Sequence, residues 1–276
     1  MPLHSMKRLM LFAVSVAMLN TVPSMAAQSP WSEGYGGKMR LVAGGKFVDG
    51  VKAGLEIEME PGWKTYWKVP GDAGIPPTLD FSASTNVKNV EILWPAPTRY
   101  GDNISQLLGY KEWVTFPIRV IPHKADQAVN LVLDANVGLC SDLCVPVQAN
   151  LSLFVPAGGD EDGASEFVID RDLALVPGKS EEGFRITKVI RKKGLNAPDQ
   201  LIITADIPKG MGKSDLFVEG PTDWYLPLPQ PMKNQAGQFR LGLEGLPKEA
   251  KTKNVELIFT LTNGEKAVEQ TILLTD

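Results

Sequence analysis

The sequence predicts an all-β protein, an immunoglobulin-like β-sandwich followed by a second β-sandwich-like domain. Leu55-Glu56-Ile57-Glu58-Met59-Glu60 alternates apolar and acidic residues, the period of a half-buried antiparallel strand. Short runs of similar kind recur between Gly, Pro and Asn residues, and no stretch sustains a helical period. Asn263-Gly264, between the last two runs, is a hairpin signal.

In chain order, residues 1–26 read as a secretory leader. Lys7 and Arg8 precede the apolar run Leu9 to Leu19, and small residues at Ser24 and Ala26 place cleavage after Ala26. The run is shorter than the roughly 20 residues a membrane-spanning helix needs, and no later stretch is apolar enough to span. The expectation is an exported, periplasmic protein with no membrane span after cleavage, in a compartment where disulfides persist. Without Lys7 and Arg8 the remaining chain holds 26 basic and 32 acidic residues, a balance that argues against nucleic acid or an anionic membrane as partner.

Seven strands are expected in the first domain, residues 27–157: Lys38 to Ala43, Val51 to Glu60, Pro77 to Phe81, Val90 to Trp94, Trp113 to Ile121, Val129 to Val137 and Val145 to Val155. Their number and spacing suit an immunoglobulin-like sandwich. Residues 158–182 carry eight acidic side chains against Arg171 and Lys179, and include Gly158-Gly159 and Pro177-Gly178. They read as an acidic, solvated linker, with an acidic docking strip as the other reading. Six further strands are expected in the second domain, residues 183–276: Phe184 to Lys192, Gln200 to Ile207, Ser214 to Glu219, Gln238 to Leu243, Val255 to Thr262 and Ala267 to Leu274. This domain has no cysteine and reads as a structural or docking module.

Cys140 and Cys144 are the only cysteines, so any thiol chemistry resides there. Four residues of extended strand would part their Cα atoms by roughly 13 Å, beyond the roughly 7 Å a disulfide tolerates, so a bonded pair requires the chain to fold back. Closing so small a loop stabilises by only about 2 kcal/mol, which suits a switch better than a staple. Three uses stay open on the residues alone. The pair could exchange electrons, form a passive structural disulfide, or hold copper through its thiolates as CxxxC motifs of the Sco type do. His123 is the one histidine left after leader removal, and Met39, Met59, Met211 and Met232 are scattered. One histidine also removes most Ser-His and Cys-His catalytic schemes, and there is no zinc-ligand cluster or phosphate loop. No organic cofactor and no metal residue is assigned.

An ordered set of motifs resembles a known family. Pro61-Gly62-Trp63-Lys64-Thr65-Tyr66-Trp67, Trp94-Pro95-Ala96-Pro97, Gly109-Tyr110, Phe116-Pro117-Ile118 and Cys140-Ser141-Asp142-Leu143-Cys144-Val145-Pro146 follow one another between about residues 35 and 157. Together they resemble the N-terminal periplasmic domain of the thiol:disulfide interchange protein DsbD and the related ScsB. The three residues between the cysteines are fewer than in DsbD and resemble the ScsB-like branch. The resemblance implies an immunoglobulin-like domain that takes electrons from a membrane-embedded DsbD/CcdA-like donor and passes them to exported thioredoxin-like proteins. It implies Cys140 and Cys144 as the redox pair near one end of the sandwich; it favours Cys144 as the attacking thiol, and the residues themselves leave open which cysteine attacks. It also implies a flexible cap loop, placed by chain order within Tyr100 to Tyr110, with Tyr100, Gly101, Asp102, Leu107, Leu108, Gly109 and Tyr110 as cap or partner-binding residues. The loop's residues differ from those of DsbD. As the chain shows no transmembrane or thioredoxin domain of its own, the donor is expected to be a separate protein.

Asp142 is the nearest charge in sequence and would disfavour a thiolate if it pointed inward. Trp63, Tyr66, Trp67, Trp94, Tyr100, Tyr110 and Trp113 cluster in the first domain, where aromatic strand residues are expected to build core or a partner surface. Copper tolerance, cytochrome maturation and repair of misoxidised proteins are the processes such a carrier could serve.

Overall fold

A computed structural model describes residues 27–72, 74–101, 106–159, 162–210, 212–247, 250 and 253–275. The leader and Asp102 therefore lie outside the described residues. Up to residue 175 the elements are β1 (Ser32–Gly34), β2 (Gly37–Phe47), β3 (Gly50–Met59), β4 (Lys64–Gly71), β5 (Thr78–Asp80), β6 (Val87–Ile92), β7 (Thr98–Gly101), β8 (Gln106–Lys111), β9 (Trp113–Pro122), β10 (Val129–Cys140), β11 (Cys144–Val155) and α1 (Gly163–Leu173). One sheet runs β1-β2-β3-β9-β6, and the other runs β11-β10-β4-β8-β7 with β5 added on β10. The two sheets enclose a core containing Leu41, Leu55, Ile57, Phe116, Ile118, Leu131, Leu133 and Leu151.

The alternation in β3 sets that sheet's register. Leu55 and Ile57 face inward opposite Leu41 and Met39, while Glu56 pairs across with Arg40 at 2.8 Å. Along β11, Val147, Ala149, Leu151, Leu153 and Val155 point in and the residues between them point out. A one-residue slip would expose that whole row, so the twelve-residue pairing of β10 with β11 is firmly fixed. Strands β1, β4, β7 and β8 lie outside the expected set. β4 does not alternate, because Thr65, Tyr66 and Trp67 are all buried, so both faces of the strand are covered.

The acidic segment 158–182 requires a correction. It is not a solvated linker, because α1 packs on β2, β3 and β9. Asp162 caps the helix by accepting from the Ser165 backbone N–H at 2.9 Å. Its inward residues, Ser165, Ile169 and Asp172, have helical spacing, but only Ile169 is apolar, so hydrophobic periodicity does not reveal the helix. Charge completes the anchoring. Lys52 Nζ lies 3.0 Å from Glu166 and 2.7 Å from Asp170, and Asp172 accepts from the Thr115 backbone N–H. Burial opposes the charge on Lys52, but the two carboxylates outweigh it and hold its pKa above the ordinary lysine value. Gly44 lets the helix approach, since a Cβ there would lie 2.3 Å from the Glu166 backbone nitrogen.

The second domain comprises β12 (Gly178–Lys179), β13 (Arg185–Lys192), β14 (Gln200–Asp206), β15 (Ser214–Glu219), β16 (Gln230–Pro231), β17 (Gln238–Gly242), β18 (Val255–Asn263) and β19 (Lys266–Leu274). They form two four-stranded sheets, β12-β19-β18-β15 and β13-β14-β17-β16, around Leu201, Ile203, Leu216, Phe239, Leu241, Leu257 and Phe259. The β18–β19 hairpin closes on Gly264-Glu265. Gly264 takes a φ of 62°, which a hairpin turn of this length favours at its first central residue. β12, inside the expected linker, already belongs to this domain's sheet. No helix among the described residues is long and apolar enough to cross a membrane.

Candidate redox site

The longest hairpin of the first domain ends in the cysteines. Cys140 closes β10, Cys144 opens β11, and the two are register partners with Cα atoms 4.0 Å apart and their sulfurs bonded. The fold-back that the disulfide needs is thus a hairpin turn of Ser141, Asp142 and Leu143, in which the Ser141 N–H donates to the Leu143 carbonyl at 3.2 Å. The two sulfurs differ in access. Cys140 is 5% exposed and buried beside β4, whereas Cys144 belongs to the exposed rim of the turn. Asp142 is also exposed, so its charge is solvated rather than buried against the sulfurs. Leu143, 63% exposed, is an apolar tip directly beside Cys144.

Tyr66 completes the site. Its hydroxyl oxygen lies 3.1 Å from Cys144 Sγ, and because a disulfide sulfur carries no proton, the tyrosine donates. The side chain is only 1% exposed, and burial raises its pKa, so it stays a protonated donor at neutral pH. Two glycines make the pose possible. A Cβ on Gly138 would lie 2.8 Å from the ring atoms Cδ2 and Cε2, and one on Gly74 would lie 2.7 Å from Cδ1. The ring therefore lies flat over β10 and reaches across it to β11. Thr65 Oγ1 donates to the Gly138 carbonyl at 3.0 Å and ties β4 to β10 at this point.

The other aromatic residues have different tasks. Trp94 and Tyr110 pack on Phe116 at centroid distances of 4.7 and 5.4 Å, and the Tyr110 hydroxyl donates to the Pro95 carbonyl at 2.7 Å. Trp113 stacks under the Arg171 guanidinium on the α1 side. Trp63 meets the exposed Tyr35 edge to face, next to Lys64, which pairs with Cys140.

The segment expected as a cap is a β-hairpin over its described residues. Tyr100 and Gly101 lie in β7; Leu107, Leu108, Gly109 and Tyr110 lie in β8. Leu108 and Tyr110 point into the core, and Lys111 sits 4.5 Å from the Tyr100 ring centroid. Gly109 is the register partner of Tyr66, which is the hairpin's direct connection to the redox pair. His123 stands far from the cysteines. It hydrogen-bonds to Asn86 near the start of β10, a strand whose twelve residues span roughly 36 Å. Among the described residues no group of three or more His, Cys, Asp or Glu could hold a metal ion.

Fold and site together define a β-sandwich protein with an accessible hairpin disulfide. Residues 39–156 match the family model described as "Thiol:disulfide interchange protein DsbD, N-terminal", which supports a DsbD N-terminal/ScsB-like domain over that stretch. Among solved structures, the N-terminal periplasmic domain of ScsB from Proteus mirabilis is similar at a TM-score of 0.68 and 21% identity, covering 91% of this chain and 99% of that one. That likeness extends the shared fold over both domains. A conserved domain protein from Bacillus anthracis aligns over 91% of this chain and 90% of its own, at 11% identity and a TM-score of 0.25. No curated protein matches.

Tyr66 is the site residue that sequence reasoning left without a role. It stood inside a motif that carried the resemblance, but what marks its task is the pairing with Gly138, visible only once β4 and β10 are neighbours.

Proposed function

We propose that the protein is a periplasmic thiol–disulfide carrier, exported by cleavage of its leader, that shuttles electron pairs through Cys140 and Cys144. The observation that carries this reading is the asymmetric hairpin disulfide, with Cys144 exposed beside a tyrosine donor and Cys140 sheltered. In the reductive half-reaction a thiolate of the membrane-embedded DsbD/CcdA-like donor attacks Cys144 Sγ. A mixed disulfide forms, the Cys140–Cys144 bond breaks and Cys140 leaves as a thiolate. The donor's second thiolate then resolves the mixed disulfide, leaving both cysteines reduced and the donor oxidised. In the oxidative half-reaction the Cys144 thiolate attacks the disulfide of an exported thioredoxin-like protein, and Cys140 resolves the adduct by re-forming the bond. Two electrons pass in each half. Leu143 supplies exposed apolar surface next to Cys144 for partner contact.

Mixing the reduced protein with an oxidised periplasmic thioredoxin-like protein and trapping thiols by alkylation tests the proposal. Transfer of oxidation to Cys140 and Cys144, with a stable adduct when Cys140 is replaced by Ser, is expected. A disulfide that neither forms an adduct nor exchanges would make it structural.

A further inference from the structure

The second domain meets the first through the outward face of β15, with Leu228, Gln230 and Glu269 adding contacts beside it. Along β15, Leu216 and Val218 point into the second domain's own core, while Asp215, Phe217 and Glu219 point the other way. Each of these three holds a residue of the first domain. Asp215 takes the Arg99 guanidinium of β7 in a bidentate pair at 2.7 and 2.8 Å. Arg99 also donates to Gln106 of β8 and to the Leu216 and Pro229 carbonyls. Phe217, 1% exposed, joins the first domain's core against Trp67 at 6.0 Å between centroids. Glu219 lies 2.7 Å from Lys68 Nζ.

Trp67 and Lys68 are the two residues after Tyr66 on β4. The sheet does not hold this stretch through its ladder: pairing with β8 covers Lys64, Thr65 and Tyr66 and resumes only at Gly71, and pairing with β10 covers Lys64 and Thr65. Just beyond Tyr66, where the ladder pairing lapses, the side chains of Trp67 and Lys68 are held by Phe217 and Glu219 of the second domain. We propose that the second domain is a positioning element for the redox pair: β15 grips β4 directly behind Tyr66, so that the tyrosine hydroxyl stays on Cys144 Sγ. The inference rests on the redox reading of Cys144.

The test uses the full chain with Phe217→Ala, and hydrogen exchange across β4 and β15 reports whether the interface has loosened. The readout is the rate at which iodoacetamide alkylates Cys144 in the reduced protein, as a function of pH. Loosening should slow alkylation at neutral pH by about threefold, as loss of the tyrosine donor does. Adding Tyr66→Phe should then slow it no further. Should Phe217→Ala fail to fold, Glu219→Lys is expected to give the same slowing and Lys68→Glu with Glu219→Lys to reverse it. Wild-type alkylation in a folded protein with a loosened interface, additive slowing in the double variant, or failure of the charge swap to rescue would each overturn the proposal. Alkylation needs no protein partner, so failure to exchange with thioredoxin-like proteins would remove the carrier reading and leave this result standing.

Discussion

Replacing Tyr66 with Phe removes one hydroxyl and leaves the ring in its slot between Gly138 and Gly74. In the oxidised protein that hydroxyl donates to a weak, neutral acceptor, so stability should change little. In the reduced protein the same donor faces a thiolate, and a hydrogen bond to a charged group is worth about 1.5–3 kcal/mol. Taking the lower figure, loss of the bond moves the Cys144 titration midpoint up by about one pH unit, at roughly 1.36 kcal/mol per unit. The thiolate fraction at neutral pH then falls about tenfold. A more basic thiolate is a better nucleophile, with a Brønsted slope of about 0.4–0.5, which returns a factor of about three. The net expectation is about threefold slower alkylation at pH 7 and faster alkylation well above the midpoint. Iodoacetamide kinetics on the reduced protein between pH 6 and 10 measure both arms. Superimposable profiles for the two proteins would refute the assigned role of Tyr66.

Other expectations follow from the same geometry. Gly138→Ala places a methyl 2.8 Å from the Tyr66 ring and 2.7 Å from Ile75 Cβ, so chemical denaturation should show a loss of about 1–3 kcal/mol, with alkylation kinetics like those of Tyr66→Phe. Because Cys140 is buried and Cys144 exposed, the Cys140→Ser variant should react with an aromatic disulfide reagent at least tenfold faster than Cys144→Ser; equal rates would contradict the assigned asymmetry. Lys52→Met should cost about 1 kcal/mol, since Glu166 and Asp170 are half-exposed and solvent screens what remains. The Lys52 pKa is raised on folding, so its contribution is complete below the ordinary lysine value of about 10.4 and lost as pH rises through the higher folded value. The stability difference between wild type and Lys52→Met, read from thermal melts, should therefore be constant near neutral pH and shrink above about pH 10.4.

The all-β class and most strands were legible because apolar residues alternate along them. β3 and β11 repeat apolar residues at every second position, and the structure buries those rows. β4 was not legible as a strand, because Tyr66 is covered on one face by the segment around Gly74 and Ile75 while Trp67 is buried on the other, which erases the period of two. α1 escaped for the opposite reason: its inward stripe is Ser165, Ile169 and Asp172, and the helix is held by the Lys52 ion pairs of Glu166 and Asp170 and by a backbone N–H that donates to Asp172 rather than by an apolar stripe. The cysteine pair was legible from spacing alone, including the need for a fold-back. The partner of Cys144 was not, since Tyr66 and Cys144 lie 78 residues apart and meet only across β10. The grip of β15 on β4 was likewise hidden, because Asp215-Leu216-Phe217-Val218-Glu219 is an ordinary strand until two cores are seen to share it.

The reduction potential of the Cys140–Cys144 pair separates a carrier from a structural disulfide, measured by equilibrating the protein, leader removed, with glutathione and dithiothreitol buffers and trapping free thiols. A value between about −270 and −120 mV, the span of thiol–disulfide carriers, is the predicted result. A value below about −300 mV, or a bond that resists reduction until the domain unfolds, would make the disulfide structural and contradict the account.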